Sequence, residues 1–252
     1  MMYARYLVSS LFAAMLSFTV SAQQETEIEA LKKQVRELTG VVDQLRSNQL
    51  VIARQLGLVK PEQIMPGEPA PLDSGFMVGA ADAKVVIMEF TDIQCPFCQT
   101  FHMETFPQIK EEYIDSGKVL YVNRQYPIQL HAQARPAAKY LLCAIPQSKF
   151  VEVKNDLFKF GGLVKDAKFS EIPAIANLDQ AALTACLDND AVLEQRINND
   201  INLGVRMGVA ATPSFFIGLQ DKDGRLVKWA RYEGAKPIEF YREIIENLLS
   251  KD

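Results

Sequence analysis

A mixed α/β fold is predicted for this chain, in the order β-α-β, a purely helical block, then β-β-α, behind an N-terminal coiled-coil helix. Three stretches carry the expectation. "KVVIMEFTD" (84–92) is an almost continuous apolar run of strand length, the pattern of a strand covered on both faces. Residues from about 131 to 208 keep a helical pattern with no strand between them. "SFFIGL" and "RLVKWARYEG", joined by the turn signal "QDKDG", read as a hairpin. With 252 residues the chain can bury a full core without staples. Its net charge of −4 offers no footprint for nucleic acid, and no such partner is expected.

From the N-terminus, "MMYARYLVSSLFAAMLSFTVSA" has one charge, Arg5, an apolar run from Tyr6 to Val20 and small residues before a cut after Ala22. That is the pattern of a secretory signal peptide, residues 1–22. The run is shorter than the ~20 residues that span a bilayer, and no nearby cysteine would carry a lipid. Losing Arg5 takes the net charge from −4 to −5. Export of this kind places the chain in a bacterial periplasm, free or associated with the envelope. There, four cysteines read as disulfides before they read as zinc ligands.

Residues 23–59 are expected to form a coiled-coil helix. With Ile28 at position a, the a series is Ile28, Val35, Val42, Gln49, Leu56 and the d series is Leu31, Leu38, Leu45, Ile52, Val59. Nine of these ten positions are apolar, which predicts a homodimer, or a trimer, through residues 28–59. The competing reading is an amphipathic helix packed on its own domain, which usually shows a wider apolar stripe. "KPEQIMPGEPAPLDSG" (60–75), with four prolines and two glycines, reads as a semi-rigid linker, and the globular domain is expected over 76–252.

Inside that domain the strand at 84–92 runs into "CPFC", and "QTFHMETFPQIKEEYIDSG" continues as a helix. Pro107 should kink it and Gly117 should stop it. "KVLYVNRQYPI" (118–128) is the next strand, parallel to the first. Helices follow near 133–144, 147–160, 170–187 and 190–207, then the hairpin, and "KPIEFYREIIENLLS" closes the chain as an amphipathic helix.

A C-x-x-C where a buried strand meets a helix puts its first sulfur at the helix N-terminus, where free N–H groups favour the thiolate. Pro96 suits the first turn. Cys95 is therefore expected to be the nucleophile and Cys98 the buried resolving thiol, together a redox-active disulfide. Zinc would need four ligands, and the remaining donors, Cys143, Cys186, His102 and His131, are scattered. A purely structural Cys95–Cys98 bridge would close almost no loop. A copper(I) site on the soft thiolates, or an oligomeric chaperone with incidental cysteines, are the alternatives in function; no cofactor and no resident metal are expected. "GVAATPSFFIG" places Thr212-Pro213 at the entry to a core strand, which calls either for a cis peptide or for an edge strand. Glu89 is a lone carboxylate inside "VVIMEF", either buried beneath the site or exposed at a strand end. Cys143 and Cys186 lie on helices of the block. Pairing them as a structural disulfide leaves no odd cysteine, the alternative being two free buried thiols.

Strand, C-P-x-C, kinked helix, strand, helical insertion, T-P before a strand, hairpin and final helix resemble the DsbA-like branch of the thioredoxin superfamily. "VVIMEFTDIQCPFC", "FPQIKEEYIDSGKVLYVNRQYPI", "AAKYLLCA" and "GVAATPSFFIG" carry the resemblance over about residues 77 to 250. It implies a thioredoxin fold with an inserted helical domain, about 131–208. The implied activity is thiol:disulfide exchange on exported proteins, with a membrane redox partner that resets CPFC. By position, Cys95 resembles the attacking cysteine, Cys98 the resolving one, and Pro213 the cis-proline that pairs with substrate backbone. Glu89 resembles the buried acid that moves a proton for Cys98. Three departures pull toward an oligomeric isomerase or a dual-function enzyme. Phe97 stands where DsbA has histidine, Thr212 is the residue that DsbC-type isomerases carry, and DsbA itself lacks the coiled coil.

Overall fold

The computed structural model describes residues 28–35, 38–39, 41–42, 45, 64, 68–73 and 75–250. The chain divides into two units, Met1–Lys60 and Pro61–Asp252. In the first, all described residues are helical, and the a and d positions Ile28, Leu31, Val35, Leu38, Val42 and Leu45 are exposed. The remaining seam positions, Gln49, Ile52, Leu56 and Val59, and the expected signal peptide lie outside the described residues.

The second unit is built on a six-stranded sheet. Its strands are β1 (Ala70–Pro71), β2 (Phe76–Val78), β3 (Val85–Thr91), β4 (Val119–Gln125), β5 (Ser214–Gln220) and β6 (Arg225–Glu233), in the order β1-β6-β5-β3-β4-β2. β3 and β4 are parallel, from Val85 opposite Val119 to Thr91 opposite Gln125, while β5 runs antiparallel to both β3 and β6. Every residue of β3 and β4 is buried, the polar Glu89, Thr91, Asn123, Arg124 and Gln125 along with the apolar ones.

The period of two along β3 sorts its side chains onto two layers. Val85 and Ile87 join Phe101, Phe106, Ile109, Phe215 and Tyr241 on one face. Val86, Met88 and Phe90 join Leu203, Met207, Phe216 and Trp229 on the other. A third apolar cluster fills the helical block.

The crossover from β3 to β4 is one helical run: α1 (Pro96–Thr100), a π-helical turn at Phe101–Thr105, α2 (Phe106–Ile109) and a second π turn at Lys110–Ile114. Pro107 has no N–H to give the preceding turn, and the departures from α geometry flank it. Gly117, at φ +75°, ends the run in a conformation that favours glycine.

Between β4 and β5 lie α3 (Ala134–Ala144), α4 (Phe150–Lys159), α5 (Gly161–Lys165), a 3₁₀ turn (Phe169–Glu171), α6 (Pro173–Ala176), α7 (Gln180–Leu187) and α8 (Asp190–Arg206); α9 (Ile238–Leu249) closes the fold. The helix expected over 170–187 is three pieces. Pro173 opens a new helix at its first turn, and the Asp179 carboxylate caps the next by accepting from the N–H groups of Ala181 and Ala182. α4 starts three residues later than expected, after Ser148 at φ 57°.

The Pro-rich stretch read as linker contributes to the sheet. β1 pairs with β6, the Trp229 indole N–H donates to the Glu68 carbonyl at 2.7 Å, and Ile64, Ala70 and Leu72 are buried. Two residues on an edge strand accommodate Pro71 without losing a ladder hydrogen bond that matters. Among the described residues, no helix is long and apolar enough to cross a membrane.

Candidate active site

Cys95 is the N-cap of α1, at the end of a short loop from β3, and Pro96 follows in the first turn. The loop is shaped by Asp92. Its carbonyl accepts from the Cys95 N–H at 3.1 Å, and its buried carboxylate accepts from the N–H groups of Gln94 at 2.7 Å and Ile128 at 2.8 Å. His131 Nδ1 lies 3.0 Å from the same carboxylate. The Asp92 N–H in turn points at Cys98 Sγ, 3.4 Å away.

Both cysteines are free thiols, Cys95 6% exposed and Cys98 wholly buried. The Thr212–Pro213 peptide is cis, and the Cys95 thiol donates to the Thr212 carbonyl at 3.2 Å. The fold therefore brings together groups 117 residues apart. Phe97, between the cysteines, is 62% exposed and presents an apolar ring beside the sulfur.

The two sulfurs differ in acidity. The Cys95 thiol is lowered to about 5, chiefly because the Cys98 thiol donates to its sulfur. Burial opposes this, while Thr212 and the N–H groups of Cys98 and Phe97 add to it. The Thr212 hydroxyl, buried and with no other hydrogen-bond partner, can donate to the thiolate. Its carbonyl serves the protonated form. Cys98 is pushed up, first by burial, then by Cys95 beside it and by the charge of Glu89.

Glu89 is fully buried and faces the α1 side of the sheet, in register with Val85 and Ile87. Its Oε2 accepts from the Tyr121 hydroxyl, from Asn123 Nδ2 at 3.2 Å and from Lys154 Nζ at 3.1 Å. Lys154, itself 1% exposed, also donates to the Tyr121 oxygen at 2.9 Å, and Gln125 extends the network through Asn123 at 2.6 Å. Glu89 Oε1 is buried without a hydrogen bond. Lys154 comes from α4 of the helical block. His102, stacked on Phe106, bonds Asn155 through Nε2 at 2.6 Å; burial first, then Lys154, holds it well below the usual histidine range.

Lys154 and Asp92 were not among the residues singled out from sequence, although each left a signal. Lys154 sits on the apolar stripe of its helix with Phe150, Val153, Leu157 and Phe158, where a lysine belongs only if paired. Asp92, directly after a core strand and two residues before a loop N–H, has the spacing of an Asx turn. Within the helical block, Cys143 of α3 and Cys186 of α7 are joined at 2.01 Å.

Comparison with known proteins follows the same outline. The family model described as thioredoxin matches residues 72–236. A Rickettsia prowazekii protein named as a protein-disulfide oxidoreductase is 24% identical over 208 residues, 79% of this chain and 75% of the relative. A Rickettsia conorii protein of the same description is 24% identical over 151 residues, but only 53% of its length is spanned. Disulfide bond formation protein D of Bacillus subtilis is 27% identical over 153 residues, 56% of this chain and 66% of that protein. Among solved structures, α-DsbA1 of Wolbachia pipientis superposes with a TM-score of 0.61 at 29% identity, covering 71% of this chain and 92% of its own. Oxidised BdbD of Bacillus subtilis, at 20% identity and a TM-score of 0.59 over 75% of this chain and 100% of its own, shares the fold. The thioredoxin model spans well over half of the chain, and the α-DsbA1 structure superposes on most of it: the chain belongs to the thioredoxin superfamily, in its DsbA-like branch.

Proposed function

We propose that the protein is an exported thiol:disulfide oxidoreductase that forms and rearranges disulfides in other exported proteins through Cys95 and Cys98. One observation carries the reading: Cys95 sits at a helix start against the cis Thr212–Pro213 turn while Cys98 of the same C-x-x-C is wholly buried, which holds the first sulfur toward the thiolate and the second toward the thiol. In the oxidising direction a substrate thiolate attacks Cys95 Sγ of the disulfide and expels Cys98 as a thiolate, which takes up a proton. A second substrate thiolate then attacks the substrate sulfur of the mixed disulfide and expels Cys95. The substrate loses two electrons, the pair gains them, and a membrane redox partner removes them again. A sulfur that is acidic leaves quickly, which favours this last step.

In the isomerising direction the Cys95 thiolate attacks a wrong substrate disulfide and the freed substrate thiolate re-pairs; Cys98 releases the enzyme when re-pairing stalls. Glu89 is the group best supported to exchange the Cys98 proton, because its charge already bears on that thiol. The Thr212 backbone beside Cys95 is suited to pair with substrate backbone, with Pro213 shaping the turn. The exposed seam of Ile28, Leu31, Val35, Leu38, Val42 and Leu45 supports assembly into a dimer or trimer, which raises the local concentration of CPFC sites around one substrate.

Insulin reduction and refolding of scrambled ribonuclease test the reading. Wild type is expected to be active in both and Cys95→Ser in neither; a Cys95→Ser protein that still reduces insulin would remove the basis for it. A chain beginning at residue 61, which retains Ile64 and β1, should keep exchange with small thiols but lose most ribonuclease reshuffling if assembly matters.

A further inference from the structure

Beside Cys95, a cavity of about 240 Å³ opens between the CPFC loop and the helical block. Ile93, Cys95 and Gln99 bound it on one side, and Phe158, Gly161 and Lys165 on the other. No residue of 211–213 lines it, so it meets the Thr212–Pro213 turn only at the reactive sulfur.

Its character is mixed. Ile93, Phe158 and Val164 are buried and supply apolar wall. The Gln99 side chain is pinned by donation to the Phe158 carbonyl at 2.6 Å. Lys165 is the one basic lining residue; it is exposed and forms no ion pair among the described residues. Along the chain Lys159 and Lys168 are balanced by Asp156, Asp166 and Glu171, so the Lys165 ammonium itself, not a wider basic patch, is what a substrate carboxylate would meet there. A Cβ added at Gly161 would meet nothing within 4 Å, which leaves that side open.

We infer that this cavity is a side-chain subsite for the substrate polypeptide, and that it selects an acidic residue with an aliphatic stem, glutamate above all. The inference deepens the proposed function and rests on it. An extended segment held along the Thr212 backbone points alternate side chains at the protein, the arrangement in which pockets for alternate residues give specificity. Residues two positions from the attacked cysteine share its face, roughly 6.5 Å along the strand. One of these two neighbours reaches the cavity while the cysteine meets Cys95. There its methylenes lie on Ile93, Phe158 and Val164, and its carboxylate approaches the Lys165 ammonium.

The test uses oxidised full-length protein and reduced peptides with two cysteines, carrying Glu, Gln, Lys or Gly two positions before or after the first cysteine. The readout is kcat/KM for peptide oxidation. At one of the two positions wild type should prefer Glu over Lys by roughly 3- to 5-fold, the range of a partly exposed ion pair. Lys165→Glu, a surface change, should reverse that order, and Lys165→Gln should flatten it. Gly161→Phe should bring the Glu peptide down to the Gly peptide. Equal rates for Glu, Gln and Lys at both positions, or a preference that Lys165→Glu leaves intact, would overturn the subsite. Oxidation of dithiothreitol by wild type separates the two levels of the argument: no turnover at all strikes the proposed function, whereas turnover without discrimination strikes only the subsite.

Discussion

Cys143 and Cys186, 43 residues apart in sequence, tie two helices together, with Cys143 wholly buried in the apolar core of the helical block. Cys95 and Cys98 stand at the end of a buried strand with a carbonyl, a backbone N–H and a buried carboxylate network around them. The first pair closes a loop of 43 residues, worth about 4 kcal/mol in the chain-entropy account. The second closes almost no loop, and its contacts set the two sulfurs apart in acidity. The same element thus serves as a staple where it closes a long loop, or as a reagent where polar neighbours set its two sulfurs apart.

The largest expected effect sharpens the polarised side. Lys154→Met leaves the Glu89 carboxylate buried without its counter-charge, and should cost roughly 3–5 kcal/mol in urea unfolding. Glu89→Gln combined with Lys154→Met should recover most of that loss while altering the pH profile of exchange. A double variant as unstable as Lys154→Met alone would show that the lysine matters for packing rather than charge. Next, replacing both Cys143 and Cys186 by Ala should lower stability by about 4 kcal/mol, with thiol exchange at moderate temperature unchanged. Should the folded double variant lose its exchange activity, the division between staple and reagent breaks.

A smaller effect concerns pH. Thiolate absorbance of the reduced protein should titrate with a midpoint near 5 for Cys95. Because that value lies below the 9.0 of an ordinary cysteine, the thiolate stabilises the reduced fold. The contribution is complete above about pH 9 and is lost as pH falls through about 5. Urea midpoints of reduced wild type should therefore rise with pH across this window relative to those of a Cys95→Ala variant. The smallest change expected is from Thr212→Val, which removes a hydroxyl donor and should raise the Cys95 midpoint by about one pH unit. An unmoved midpoint would assign the acidity to Cys98 and the helix start alone.

Much of this architecture could be read before any coordinates. β3 and β4 announce themselves because seven consecutive residues are buried in each, and the β5–β6 hairpin because an apolar run leads into the turn signal "QDKDG". CPFC and Thr212-Pro213 stand out because proline and cysteine are rare and each has few uses. β1 and β2 were invisible for the converse reason: two and three residues are too few to show a period, and their partners, β6 and β4, lie far along the chain. The Lys154–Glu89 pair spans 65 residues, and nothing local to "FVEVKNDLF" says which carboxylate its buried lysine meets. Asp92 acts through Ile128, 36 residues on, so its reach was equally out of view.

The lysine paired with Glu89 belongs to the inserted block, not to the sheet that carries Glu89 or the helix that carries the thiols. The two parts are consequently not interchangeable modules. A graft that transplanted a relative's insertion onto this sheet would have to import an ammonium at the place of Lys154, or else repaint Glu89 as a neutral residue. The insertion is less an ornament on the sheet than one half of its wiring.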